Sequence, residues 1–101
     1  MNEQDIEVTR VIFRVLEGEV IAIFPDDPGT NDWWTCCSYM HVGQHASTDK
    51  GIVQFTKLAT PEQYQPLYDE LEKQIGYKLK VMKKWPPTSD DIRRKLIARV
   101  L

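Results

Sequence analysis

A chain of 101 residues, 42% of them hydrophobic, is long enough for one folded domain with a single core and too short for two. Its formal charge of −2 argues against a general polyanion binder, because affinity for a phosphate backbone comes from a net basic surface. No basic start leads into an apolar run, and no stretch approaches the roughly 20 apolar residues of a membrane span, so a cytoplasmic protein with no membrane partner is expected.

The predicted elements follow in order. Residues 1–7 are polar and expected to fray. Val8 to Leu16 and Val20 to Phe24 are rich in β-branched and aromatic residues, and Glu17-Gly18 between them reads as a two-residue hairpin turn. Pairing Leu16 with Glu19 sets Val11, Phe13 and Val15 opposite Phe24, Ala22 and Val20. The other side, Ile12, Arg14 and Leu16 against Ile23, Ile21 and Glu19, is also mainly apolar, so the hairpin is expected to be covered on both faces by helices or a second subunit. The run 25–32 is a loop, with Pro28-Gly29 placed for a type II turn. Its acids lack the spacing of a calcium loop and read as a solvated turn.

Trp33 to Val42 reads as a third strand, with Cys36, Ser38 and Met40 on one face and Thr35, Cys37, Tyr39 and His41 on the other. Alternation also sends the Trp33 and Trp34 rings opposite ways, leaving one as an interface anchor or a loop cover. Gly43 marks a bulge or bend, residues 47–51 a polar turn, and Ile52 to Leu58 a weaker fourth strand. Thr60-Pro61-Glu62-Gln63 is a capping-box helix start, followed by Tyr64, Leu67, Leu71 and Ile75 at helical spacing and by Gly76 as terminator; Pro66 removes one early hydrogen bond. Tyr77, Leu79 and Val81 alternate with lysines as a fifth strand. After Trp85-Pro86-Pro87, Thr88 or Ser89 can cap a last helix whose apolar seam is Ile92, Leu96 and Val100. The predicted class is therefore α+β: one domain over 1–101, a mostly antiparallel sheet in the order β-β-β-β-α-β-α, two helices, and a C-terminal linker and helix over 86–101.

The stretch from Thr35 to Thr48 holds both cysteines and both histidines. Adjacent Cys36 and Cys37 point to opposite faces of a strand and read as free thiols in a reducing compartment. Cys37, His41 and His45 recur every fourth residue, but on an extended strand that spacing separates neighbours by about 13 Å, too far to share a zinc ion unless the chain folds back at Gly43. No metal or other cofactor is expected. Cys37 as a nucleophile activated by His41 or His45 meets the same distance problem, and a strand cysteine is usually a small hydrophobe. The remaining candidate is a polar pocket formed by Cys37, Tyr39, His41, Gln44, His45 and Ser47. Against it stands the plainer possibility that Tyr39 and His41 bridge core to solvent while the others satisfy turn backbone.

The charge is uneven. Nine acids face four bases through Thr60, whereas from Lys73 onward nine bases face only Asp90 and Asp91. Lys78, Lys80, Lys84, Arg93 and Arg94, interleaved with Tyr77 and Trp85, form a possible basic face for single-stranded nucleic acid. Alternating lysines also guard an edge strand against aggregation, and that role is favoured.

The segment Ser38-Tyr39-Met40-His41-Val42-Gly43-Gln44-His45, with Ala59-Thr60-Pro61-Glu62-Gln63-Tyr64, resembles an uncharacterised family of short bacterial proteins met in plasmid, phage and other accessory contexts. The resemblance runs from about Val11 to Lys84. It implies a cytoplasmic accessory protein of a mobile element acting on host machinery, and brings no catalytic residue with it. The expected function is non-enzymatic: binding to a protein partner or to a second copy of the chain. The alternatives are a small enzyme or ligand-binding protein with a site around residues 37–47, and nucleic-acid binding through the basic strand and last helix.

Overall fold

The Glu17-Gly18 turn, with φ of 50° and 83°, closes β1 (Thr9–Leu16) and β2 (Glu19–Phe24) into a hairpin in the expected register, Leu16 opposite Glu19 and Phe13 opposite Ala22. Positive φ at both central residues matches the twist of the flanking strands. The structure, a computed structural model, describes residues 8–41 and 44–100. The expectations for residues 1–7 and for Gly43 lie outside them.

The sheet is mixed and mostly antiparallel, in the order β4-β3-β2-β1-β5, with β3 at Thr35–Met40, β4 at Gln44–Asp49 and β5 at Lys57–Leu58. β6 (Leu79–Val81) runs parallel to the first half of β1, sharing that side of the strand with β5. The architecture is α+β, with α1 at Pro61–Glu70, α2 at Ser89–Val100 and a 3-10 helix at Lys50–Phe55.

The fourth strand is not the expected one. The chain reverses between Met40 and Gln44, and the polar residues Gln44–Asp49 pair with β3, while most of the run Ile52 to Leu58 is helical. A strand would have sent Ile52 and Val53 to opposite faces; the 3-10 turn packs both against Ile21, Ile23 and Cys36. Asp49 starts that turn by accepting the Gly51 N–H at 2.7 Å. Gly29 also differs from expectation. Positive φ among the glycines described occurs at Gly18 and Gly76, so Pro28-Gly29 is no type II turn. Glycine is needed at 29 because a side chain there would strike Ser47 and the Cys36 carbonyl.

Both faces of the hairpin are covered. On one, Val11, Phe13, Ala22, Phe24 and Tyr39 pack with Leu67 and Leu71. Tyr64 stacks on Phe13 at 4.5 Å, and Tyr77 on Phe24 at 5.2 Å. α1 is set by the expected capping box: Thr60 Oγ1 accepts the Gln63 N–H at 3.3 Å, and Gln63 Oε1 accepts the Thr60 N–H at 2.9 Å. A wider turn, Leu71–Ile75, follows and stops at Gly76, where the Leu71 carbonyl accepts both the Gly76 and Tyr77 N–H groups.

The other face is covered by Ile52, Val53 and Trp85. α2 reaches the protein along an unexpected side. Its inward residues are Ser89 and Arg93, both 0% exposed, and Ile97; Ile92 and Leu96 flank them, and the Val100 side chain lies outside the described set. Arg93 donates to the Pro25 carbonyl at 2.6 Å, the Trp33 carbonyl at 2.8 Å and Asp90 at 2.5 Å. Asp90 also accepts from Lys50 at 2.7 Å and from Trp85 Nε1 at 3.2 Å. Asp26 accepts a two-pronged bond from Arg10 and one from the Ser89 hydroxyl. Trp33 and Trp34 lie outside the strand, so alternation does not apply. They meet edge to face at 5.3 Å, and Lys50 Nζ sits 4.4 Å from the Trp34 ring.

Burial pushes the Asp90 carboxyl up, but the bonds from Lys50, Arg93 and Trp85 outweigh it and hold it at about 2, below the ordinary 3.8. A carboxylate depressed by folding stabilises above its unfolded value and loses that contribution as pH falls through the folded one. The unfolding midpoint should therefore drop between about pH 4 and about pH 2, and Asp90→Asn should be less stable at pH 7 and flatter across that window in a urea series. Arg93→Met at neutral pH should cost on the order of 3 kcal/mol, because it leaves the Pro25 and Trp33 carbonyls without this donor and takes one of three from Asp90.

Candidate functional site

The reversal after Met40 brings part of the predicted polar cluster together. On the face of β3 toward α1, Tyr39 is 2% exposed and its hydroxyl donates to Glu70 Oε2. The other Glu70 oxygen, Oε1, lies 2.6 Å from His41 Nδ1. The Glu70 side chain is 9% exposed and the His41 side chain 76%. One buried carboxylate thus receives a phenol and an imidazole at once, which fixes Nδ1 as the protonated nitrogen and leaves Nε2 on the exposed edge of the ring. His45, opposite Tyr39 in the ladder, sets its ring edge-on to the tyrosine at 4.6 Å.

Beside His41 a cleft of about 460 Å³ opens between the start of β2, the end of β3 and α1. Val20, Met40, Pro66 and Leu67 give it apolar walls, and Glu19, Gln63 and His41 supply polar groups. Polar and apolar groups thus line the cleft in near-equal measure, a mix that can meet both the stem and the polar end of a ligand. Among the described lining residues there is no hydroxyl, thiol or amine to act as a nucleophile.

The other predicted members stand apart. Cys37 pairs in register with exposed Ser47, two residues along the strand from the Tyr39–His45 pair, and its thiol donates to the Pro28 carbonyl at 3.4 Å. Gln44 lies opposite Met40 in β4, and its side chain is outside the described set. The fold-back that a shared zinc site would need does occur, yet it leaves Cys37 out. Among the described residues no group of three His, Cys, Asp or Glu side chains is placed to hold a metal ion. Of the basic residues, Lys78, Lys80 and Lys84 are exposed, and Arg94 lies over the Trp33 ring at 3.8 Å. Arg93 is internal and belongs to no basic face.

Glu70 is the member that sequence reasoning passed over. A signal for it exists, since it falls three residues after Leu67 and next to Leu71, on the helix side that carries the apolar seam. A carboxylate there needs partners, and its partners come from 31 and 29 residues away.

No family model, curated protein or solved structure matches the chain. Fold and site together define a small α+β protein with a carboxylate-held imidazole at the mouth of a cleft. Among the described residues no helix is long and apolar enough to cross a membrane.

Burial pushes the Cys36 thiol up to about 12, and burial together with Asp27 raises that of Cys37. The thiolate is the reactive form, so both cysteines should resist iodoacetamide in the native protein at pH 8 and alkylate readily in urea. Rapid native labelling of Cys37 would contradict this placement.

Proposed function

We propose that this is a small, non-enzymatic binding protein that takes a side chain of a protein partner into the cleft beside His41. Glu70 carries the reading. Its carboxylate is buried behind the cleft and bonded to Tyr39 and His41, which holds the imidazole in one tautomer and one orientation before any ligand arrives. Such preorganisation favours recognition. The apolar walls fit the stem of a long side chain, while Glu19, Gln63 and the free His41 nitrogen fit a hydrogen-bonding, positively charged end. The favoured partner segment is thus basic and apolar by turns, consistent with an acidic first half of the chain. The proposed role is that of an accessory protein in the cytoplasm, as the resemblance of residues 38–45 and 59–64 would imply.

A second function has one observation in its favour. A carboxylate bonded to Nδ1 of an exposed histidine is the arrangement that orients a general base, so a small-molecule ligand activated through His41 Nε2 is the alternative use of the same cleft.

Peptides selected from a random library on the immobilised protein are expected to carry a basic residue beside an apolar one. They should shift the NMR signals of Val20, Met40 and Leu67, and bind His41→Ala roughly tenfold more weakly, although that variant still folds cooperatively with a thermal midpoint lowered by the loss of one donor to Glu70. Peptides that bind His41→Ala as tightly as the parent, or that shift signals elsewhere, would remove the proposal.

A further inference from the structure

The sheet has two open sides, and they are protected unequally. Along β1 the outer side is closed by β5, only two residues long and carrying Lys57, and by β6, which carries Lys80 with Lys78 just before it and Lys83 and Lys84 just after. Short edge strands and lysines are the usual devices that stop a sheet from recruiting another chain. At the opposite end, among the described residues, β4 pairs with β3 alone. It is six residues long, and its sequence, Gln44-His45-Ala46-Ser47-Thr48-Asp49, holds no lysine, arginine or proline.

The backbone of β4 has a defined outward set. The Ala46 carbonyl faces β3, since it accepts from the Ser38 hydroxyl at 3.3 Å, and the Lys50 N–H faces the same way, bonded to the Trp34 carbonyl. Hydrogen bonding alternates along an antiparallel strand, so His45, Ser47 and the Asp49 N–H direct their main-chain groups away from the sheet. Their side chains share the face that carries Tyr39 and Cys37.

We infer that β4 is a self-association edge, pairing antiparallel with β4 of a second copy about a two-fold axis at Ser47. Cross-strand hydrogen bonding selects this register. With Ser47 opposite the partner subunit's Ser47, His45 falls opposite the partner subunit's Asp49, an imidazole against a carboxylate, and the pair occurs twice. Centring on Asp49 sets carboxylate against carboxylate, which repels; centring on His45 takes Asp49 out of the ladder, and centring on Thr48 takes His45 out, so neither pairs the imidazole with the acid. Centring on Ala46 leaves His45 against serine and Asp49 out of the ladder. An isologous contact of this kind closes on itself as a dimer and joins two sheets into one. Six residues of strand bury less than the ~1,200 Å² of a standard stable interface, so the dimer is weak and concentration-dependent. This surface is separate from the cleft and does not depend on it.

Sedimentation equilibrium of the full chain from micromolar to millimolar concentration reads the association directly, with thermal midpoints as the check on folding. The parent is expected to pass from monomer to dimer within that range. Ala46→Lys, at an exposed position beside the axis, should hold the chain monomeric. His45→Lys should tighten the dimer and His45→Asp weaken it, each by roughly threefold to tenfold, since each change acts on two symmetric cross-strand pairs. His41→Ala, which disables the cleft, should leave the dimer constant unchanged. A parent that stays monomeric at millimolar concentration, an association indifferent to Ala46→Lys, or His45→Lys and His45→Asp shifting it the same way would each overturn the inference. So would a dimer lost with His41→Ala, because it would place the contact at the cleft instead.

Discussion

A hairpin that is apolar on both faces has to be covered twice, and the rest of this fold is arranged around that demand. The two covers are built differently. α1 and the chain that follows it, through Tyr77, supply tyrosines and leucines that pack with Phe13, Phe24 and their neighbours, so the first is held mainly by apolar contact. The second is assembled from the 3-10 helix, Trp85 and the start of α2, which offer fewer apolar residues. Directed bonds make up the difference: Arg93 ties α2 to the backbone at Pro25 and Trp33, and Asp26 joins Arg10 to Ser89. Dispersion is insensitive to pH and charge pairs are not, so acid attacks the attachment of α2 before that of α1.

The candidate site is a by-product of the first cover. Glu70 lies on the inward side of α1, where a carboxylate without partners would be costly to bury. The donors that satisfy it come from β3 and from the residue that follows it. Tyr39 is itself a core residue, whose ring fills the apolar layer while its hydroxyl reaches the acid. His41 stands at the rim of the same contact, where β3 ends and the sheet no longer covers the helix. The cleft opens at that rim, where β2 begins, β3 ends and α1 lies beside them.

What could be read in advance follows from how local each determinant is. The first hairpin and its register rest on Glu17-Gly18 and on alternation within a few residues, the start of α1 rests on Thr60 and Gln63, and the end of the wider turn after it rests on Gly76. All of these are legible. β4 is not, because a polar strand with one neighbour has no alternating pattern to detect, and the apolar Ile52 and Val53 nearby imitate one. Arg93 misleads for a related reason: a charged residue reads as exposed unless the Pro25 and Trp33 carbonyls, about 60 positions away in the chain, are known to converge on it. The row Ser89, Arg93, Ile97 was visible as helical spacing, but hydrophobicity alone points to the neighbouring row. The polar site was half legible, since residue types marked Tyr39, His41 and His45 while the acid that organises them sits in another element.

The two histidines, four positions apart, end up serving different surfaces through one buried unit. His41 borders the cleft and His45 belongs to β4, yet both touch the Tyr39–Glu70 pair, one through the carboxylate and the other through the phenol ring. Glu70 accepts from Tyr39 and His41 together, so a change in the bond to one alters the charge left for the other. A ligand that draws His41 toward the cleft would therefore strengthen the hold of Glu70 on Tyr39, the ring that supports His45. Contact of this kind transmits binding energy only where the linking group has two arrangements to choose between. Tyr39 is held in the core by its ring and at Glu70 by its hydroxyl, so the proposed uses of the cleft and of the β4 edge require no coupling between them.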